Sequence, residues 1–326
     1  MKTEVVAADS SRAIARAAEL LKRGEVVALP TETVYGLAAD ALQPEAVAKI
    51  FEAKERPRFD PLIVHLPDSS WVERVADIST QNRSIVSALT REFWPGPFTI
   101  VLPKTELISE LVTAGLQTIA VRISAHSVIQ DVIRELGNPL AAPSANRFGR
   151  VSPTSAQHVV RELGDRIPLI VDGGSTEHGL ESTVVSIEQD TIRILRPGPV
   201  TPDQLEGFGK VEIISQPTSI TAPGQLTTHY APRTPVRITD DPAGVTLDLK
   251  KRVGLLAWNL IPEPAKFLAT RYLSEAKDLR EAAVNLFRYL RELDEANLDV
   301  IIAELVPEKG LGIAINDRLR RASARG

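Results

Sequence analysis

The chain has 326 residues, 43% of them hydrophobic and 25% charged, which is core-forming material for two domains and excludes a disordered or fibrous protein. With 38 Lys and Arg against 42 Asp and Glu, the net charge of -4 argues against nucleic-acid binding through bulk charge, so any RNA contact is expected to be local. The absence of cysteine excludes disulfides, thiolate metal sites and thiol nucleophiles. A soluble, cytoplasmic protein is expected, because no secretory h-region and no run of about 18 apolar residues occurs.

In chain order, Asp9, Ser10 and Ser11 offer N-caps to a helix whose face is marked by Ile14, Ala17, Ala18 and Leu21 and which Gly24 stops. A strand over 25–29 follows, then a helix around 45–54, strand LIVHL (62–66), a helix near 83–93, strands FTIVL (98–102) and TIAVRIS (118–124), a helix near 128–136 and strand PLIVDGG (168–174). Helices interleaved with short β-branched runs predict an α/β sheet. STVVSIE (182–188) and TIRILRPG (191–198), split by Gln189-Asp190, predict an antiparallel hairpin and therefore a mixed sheet. Proline and glycine crowd residues 197–235, a stretch too long for an ordinary loop, which reads as an interdomain linker. Strands PVRIT (235–239), RVGLLAW (252–258) and DVIIAELVP (299–307), with helices near 275–296 and 313–322, predict a second, smaller α/β unit.

Several segments could carry chemistry. If PTETVYGL (30–37) is extended, Thr31, Thr33 and Tyr35 point one way and Glu32, Val34 and Gly36 the other. KERPRFDPL (54–62) gathers Lys54, Arg56 and Arg58 before a strand, which suits a polyphosphate or a solvated charge run. His65 closes that strand, as a functional group or a satisfied core histidine. In TIAVRIS, parity puts Thr118, Ala120, Arg122 and Ser124 on one face, and a mid-strand Arg122 needs a carboxylate, from the protein or from a ligand. LAAPSANRFGRVSPT (140–154) is a small-residue loop whose Ser144, Asn146 and Ser152 could surround an anion. No P-loop, dinucleotide fingerprint or GxSxG elbow occurs.

Together and in this order, PTETVYGL, KERPRFDPL, FWPGPFT, APSANRFGRVSPT, GLESTVV and LRPG resemble the YrdC-like domain. With GQLTTHYAP (224–232) and GLGIAINDRLRRAS (310–323), the whole chain resembles the long, Sua5-type threonylcarbamoyl-AMP synthases of the Sua5/YrdC/YciO family. The resemblance implies an α/β fold: a YrdC-like mixed-sheet domain with a cavity (1–200), a linker or lid (201–234) and a smaller Rossmann-like Sua5 domain (235–326). It implies a nucleotidyltransferase that converts L-threonine, bicarbonate and ATP, with Mg2+ accompanying the ATP, to threonylcarbamoyl-AMP and pyrophosphate. Its product would pass to a transferase complex that makes the N6-threonylcarbamoyladenosine of tRNA. Direct tRNA contact is not required, and no membrane partner is implied.

Residue by residue, the resemblance implies catalytic roles for Lys54 and Arg56. It implies threonine contacts from Thr33, His65, Arg122, Ala142 and Ser182, and nucleotide contacts from Arg56, Asp60, Thr118, Ser144, Asn146, Ser152, Arg196 and Tyr230. Two positions depart from the family pattern: Glu55 stands where glycine is common and Asp60 where asparagine is common. An ionised Asp60 cannot donate a hydrogen bond. The alternative is an RNA-binding YrdC-like module without adenylylation, which the low aromatic content of 5% disfavours. A hydrogenase-maturation type of carbamoyltransferase is disfavoured by the missing cysteines.

Overall fold

A computed structural model describes residues 2–214, 222–224, 229–246, 248 and 250–324. It divides into two compact units: the first comprises 1–148, 153–177 and 181–225, and the second 149–152, 178–180 and 226–326.

In the first unit the order is β1 (Glu4–Ala7), α1 (Ala13–Lys22), β2 (Val27–Leu29), β3 (Gly36–Asp40), α2 (Pro44–Lys54), β4 (Ile63–His65), α3 (Val72–Val75), α4 (Arg83–Phe93), β5 (Phe98–Pro103) and α5 (Glu110–Thr113). There follow β6 (Thr118–Arg122), α6 (Ser127–Leu136), β7 (Leu140–Ala141), α7 (Ala156–Leu163), β8 (Leu169–Asp172), β9 (Thr183–Glu188), β10 (Thr191–Arg196), α8 (Pro202–Leu205) and β11 (Lys210–Ile213). The strands form one 11-stranded sheet in the order β1-β8-β2-β3-β7-β4-β6-β5-β9-β10-β11. It is mixed, with β4 and β6 parallel and β5 and β6 antiparallel. The hairpin of β9 and β10 is antiparallel, and its turn puts Gln189 and Asp190 at φ 47° and 65°, as a tight two-residue connection requires.

Two apolar layers flank the sheet. On one face, α2, α3, α4 and α7 bury Ile50, Phe51, Val75, Leu89 and Val159 against Val64, Ile100, Val121 and Val185. On the other, α1 and α6 cover Val27, Leu29, Ala38 and Leu140, toward the β1 side. Further along that second face, strand positions Ile63, Val101, Ala120, Val184 and Leu195 form a separate small cluster with Ala222, and among the described residues no helical one belongs to it. Here the sheet carries polar groups instead of a helix.

The structure adds β1, β3, β7 and α7 to the elements the sequence reading names, and it departs from that reading at residues 31–35 and in the predicted linker. Residues 31–35 are not extended: Thr31 Oγ1 accepts from the amides of Thr33 and Val34 at 3.1 and 3.2 Å, so the chain turns before β3 begins. The predicted linker is not structureless either, since 202–213 form α8 and β11, and β11 extends the sheet parallel to β10. Residues 215–221 and 225–228, the latter being QLTT of GQLTTHYAP, lie outside the described residues.

The second unit holds β12 (Val236–Thr239), β13 (Val253–Ala257), β14 (Ala269–Tyr272), α9 (Leu279–Glu295), β15 (Val300–Glu304) and α10 (Leu311–Ser323). Its four strands are parallel in the order β12-β15-β13-β14. Leu286, Leu290 and Leu293 of α9 are buried, as their spacing implied.

Candidate functional site

Sheet register builds the first cluster. His65 on β4 and Thr99 on β5 both pair with Arg122 on β6, so three polar side chains stand in a row on the face that carries the small apolar cluster. Thr99 Oγ1 lies 2.7 Å from Ser182 Oγ, which extends the row to the residue before β9. Ala142 donates its amide to Ile63 O at 2.9 Å beside this row.

Arg122 is 3% exposed and sits in a fixed frame: Nε donates to Gly96 O at 3.1 Å, Nη1 to Thr33 Oγ1 at 3.0 Å, and Nη2 pairs with Glu32. These bonds engage three of its five N–H groups. The other Glu32 oxygen accepts from Ser124. Burial pushes the Glu32 carboxyl up, but Arg122 and Ser124 outweigh it and bring it to about 2. Burial, with the Arg122 charge second, lowers His65 to about 3, so its ring is neutral at physiological pH. Among the described residues, His65 Nδ1 is buried without a hydrogen-bond partner. Of the two sources weighed for Arg122's carboxylate, the protein supplies one in Glu32. The sequence reading had put Glu32 on the face away from Thr33; its alternating pattern was lost when the turn at Thr31 brought both side chains to Arg122.

A second cluster gathers cations. Lys54, the last residue of α2, is 1% exposed and donates its ammonium to the carbonyls of Ser144 and Asn146, while Phe148 N donates back to Lys54 O at 2.9 Å. The loop predicted to surround an anion with donors thus turns two carbonyls inward to hold a lysine. Burial first and Arg56 second keep the Lys54 ammonium well below lysine's usual value. Arg56 lies 2.9 Å from Asp60 Oδ2 and donates to Asp60 O and Pro61 O at 3.3 and 2.9 Å. Between Lys54 and Arg56, Glu55 has φ 54°, the left-handed conformation that glycine adopts without strain.

Arg196 joins the two clusters. Its Nε and Nη2 donate to Ser182 O at 3.1 and 2.9 Å and Nη2 to Ser182 Oγ at 3.1 Å, while its charge also acts on Asp60. The hairpin positions it, and Gly198 just beyond lets the chain pass the β9 entrance, since a Cβ there would stand 2.4 Å from Thr183 N. Of the remaining predicted residues, half-buried Thr118 opens β6 opposite Pro103, on the Arg122 face but four residues from it. Ser152 and Tyr230 fall in the second unit, where Tyr230 stacks on Phe287 at 5.5 Å and lies under the Arg318 guanidinium. Tyr35 donates its hydroxyl to Gly174 O at 2.7 Å and is a packing residue of the VDGG turn.

Sequence comparison matches 19–198 to a family model described as "Telomere recombination", that of the Sua5, YciO and YrdC proteins, and 200–324 to one described as "Threonylcarbamoyl-AMP synthase, C-terminal domain". The chain belongs to the Sua5-type threonylcarbamoyl-AMP synthase family. The Bacillus subtilis threonylcarbamoyl-AMP synthase is 42% identical over 95% of this chain and 92% of its own length, and that of Pyrococcus abyssi is 39% identical over 94% and 93%. The crystal structure of P. abyssi Sua5 complexed with L-threonine superposes with a TM-score of 0.89 at 37% identity, covering 98% of each chain. The Sua5 architecture of a YrdC-like domain followed by a C-terminal domain is therefore this chain's architecture.

Proposed function

We infer that the chain is a threonylcarbamoyl-AMP synthase, which joins L-threonine, bicarbonate and ATP into threonylcarbamoyl-AMP with release of pyrophosphate. Family membership over the full length gives the reaction class, and the observation that carries the chemistry is the junction at Arg196. One guanidinium there serves a polar row fit for an amino acid and a cation cluster fit for phosphates.

On the first cluster, Arg122 offers its remaining N–H groups to the threonine carboxylate, in the geometry that suits a guanidinium. Thr33, Ser182 and the Ala142 backbone flank it, and the neutral His65 ring offers Nδ1 to the hydroxyl or amine of the substrate. Glu32, ionised and a very weak base, holds Arg122 rather than taking the amine proton. Bicarbonate loses water to supply carbon dioxide, the deprotonated amine captures it as a carbamate with its protons released to solvent, and a carbamate oxygen attacks the α-phosphorus of ATP as the bond to the β-phosphate oxygen breaks. Lys54, Arg56 and Arg196 offset the charge of two approaching anions and of the departing pyrophosphate. Ser144 and Asn146, through the carbonyls that hold Lys54, keep that ammonium in place. No enzyme nucleophile is needed, so catalysis is positioning and electrostatics.

Magnesium would enter with ATP as part of the substrate, with the phosphates as its ligands. Nucleotide contacts from Thr118, Ser152 and Tyr230 are proposed from the resemblance alone. We also propose that part of the 201–234 stretch shields the apolar portion of this face, where Ala222 joins the cluster that holds Ala120 and Val184. We propose that the product passes, in the cytoplasm, to a transferase acting on tRNA. No helix among the described residues is long and apolar enough to cross a membrane.

The deciding experiment is pyrophosphate release from Mg·ATP with and without threonine and bicarbonate. Release that needs both establishes the reading; release indifferent to threonine, or none from folded protein, sinks it.

A further inference from the structure

Asp60 is an unusual group to find in a phosphate site. Its carboxylate is 1% exposed, lies 2.9 Å from Arg56 Nη2, and is acted on by Lys54 and Arg196. Those three are the charged groups that bear on it: Lys54 from the end of α2, Arg56 from the turn that follows, and Arg196 from the end of β10. Glu162 on α7 reaches Lys54 but does not bear on Asp60. Apart from the ion pair with Arg56, neither Asp60 side-chain oxygen has a hydrogen-bond partner among the described residues. An anion in this position needs the neighbouring cations, because burial alone makes its charged form costly.

We propose that Asp60 is the internal counter-ion of the cations that bind the nucleotide phosphates, and that ATP binding is coupled to uptake of one proton by its carboxylate. The proposal deepens the reading of this cluster as the nucleotide site and rests on it. When a triphosphate arrives, Arg56, Lys54 and Arg196 turn their charge to phosphate oxygens, and the buried carboxylate is left beside several negative charges. Protonation removes that repulsion and converts Asp60 from an acceptor into a hydroxyl donor that can face a phosphate oxygen. The proton comes from solvent and no bond besides O–H is made. Burial already raises Asp60 above the ordinary carboxylate range despite the three cations, so the free protein is biased in the same direction. An asparagine, which donates without a proton, would need no such step.

The test is isothermal titration of Mg·ATP into the whole protein, without threonine, in buffers of different ionisation enthalpy, with affinity followed from pH 6 to 8. Uptake of close to one proton is expected, with affinity weakening up to about tenfold per pH unit across part of that range. Asp60→Asn is expected to abolish the uptake attributable to the protein, flatten the pH dependence and bind more tightly than the parent at pH 8. Binding without proton uptake overturns the proposal and leaves the nucleotide site standing. Uptake that persists in Asp60→Asn overturns it in favour of Lys54, whose depressed ammonium would also gain a proton beside phosphate. Failure of Mg·ATP to bind the folded protein overturns the reading of the site itself. Should Asp60→Asn not fold, infrared difference spectra of the parent decide: a protonated-carboxyl C=O band that appears on Mg·ATP binding supports the proposal, because uptake by Lys54 gives none, and its absence overturns it.

Discussion

The two clusters hold charge in opposite ways. Around Arg122 every charge is answered inside the protein: Glu32, Thr33 and Gly96 O hold the guanidinium, Ser124 holds Glu32, and His65 is neutral. Around Asp60 three cations face one carboxylate, and all three also lean on main-chain carbonyls. The first arrangement suits a group of constant charge, an amino-acid carboxylate that must be met at one angle. The second suits a ligand whose charge changes during the reaction, because carbonyl contacts are weaker competitors for a cation than carboxylates are. The first cluster is set chiefly by strand register and the second by loops at strand and helix ends, so rigidity follows the same division.

The comparison breaks most visibly at Glu32. Glu32→Ala strands Arg122 in the core without its carboxylate and is expected to cost about 3–5 kcal/mol of stability, read as a lowered urea midpoint, with a raised threonine KM where the variant folds. A change under about 1 kcal/mol would show that Arg122 does not depend on its internal partner. Lys54→Met should do the reverse. The loss of two carbonyl contacts is set against the desolvation that the ammonium no longer suffers, so stability stays within about 1 kcal/mol. Turnover, measured as pyrophosphate release, is expected to fall about 10²–10³-fold as phosphate charge loses a positioned cation.

Acid should find the first cluster before the second. His65 is buried neutral with its value lowered to about 3, so it contributes stability above the unfolded value of about 6.5 that is lost as pH falls. From pH 6.5 to 4.5 this amounts to about 2–3 kcal/mol. His126, half-buried and also lowered, contributes in the same direction. Glu32 adds its own loss only below its unfolded value of 4.5, on the way to about 2. Urea midpoints of the parent and His65→Gln, compared at pH 7 and 4.5, should converge in acid. A constant difference between them would mean that His65 titrates alike in the folded and unfolded chain.

How much of this was readable in the residues depends on what sets each feature. The β9–β10 hairpin was legible because Gln189-Asp190 separates two β-branched runs, and the second unit because its strands alternate with amphipathic helices. Parity placed Arg122 with Thr118 and Ala120, which is local information. The row of His65, Arg122 and Thr99 was not legible, because it depends on the register of three strands far apart in the chain. Strand β3 was hidden in Gly36–Asp40, whose glycine and alanines carry little strand signal, and β11 behind the prolines around it. Glu32 was misplaced for the reason that matters most at sites: a threonine hydroxyl satisfying two backbone amides converts an alternating pattern into a turn, and its sequence looks the same either way.

Gly198 tests the link between the clusters with the smallest intervention. It lies two residues beyond Arg196, and a methyl group there would meet Thr183 N at 2.4 Å, Glu181 O at 2.7 Å and the Ser182 carbonyl carbon at 2.7 Å, all backbone atoms that cannot swing aside. Gly198→Ala must therefore push the β9 entrance and the β10 exit apart, at a cost of about 1–3 kcal/mol. The bonds that suffer are those from Arg196 to Ser182, which are shared by both clusters. Thr99 then loses part of its contact with Ser182, while Asp60 loses part of the Arg196 charge. KM for threonine and KM for ATP should rise together, each by a few-fold, whereas Glu32→Ala raises the first and Asp60→Asn changes the second. A rise confined to one substrate would show that Arg196 serves a single cluster, and the two would then be independent sites on one sheet.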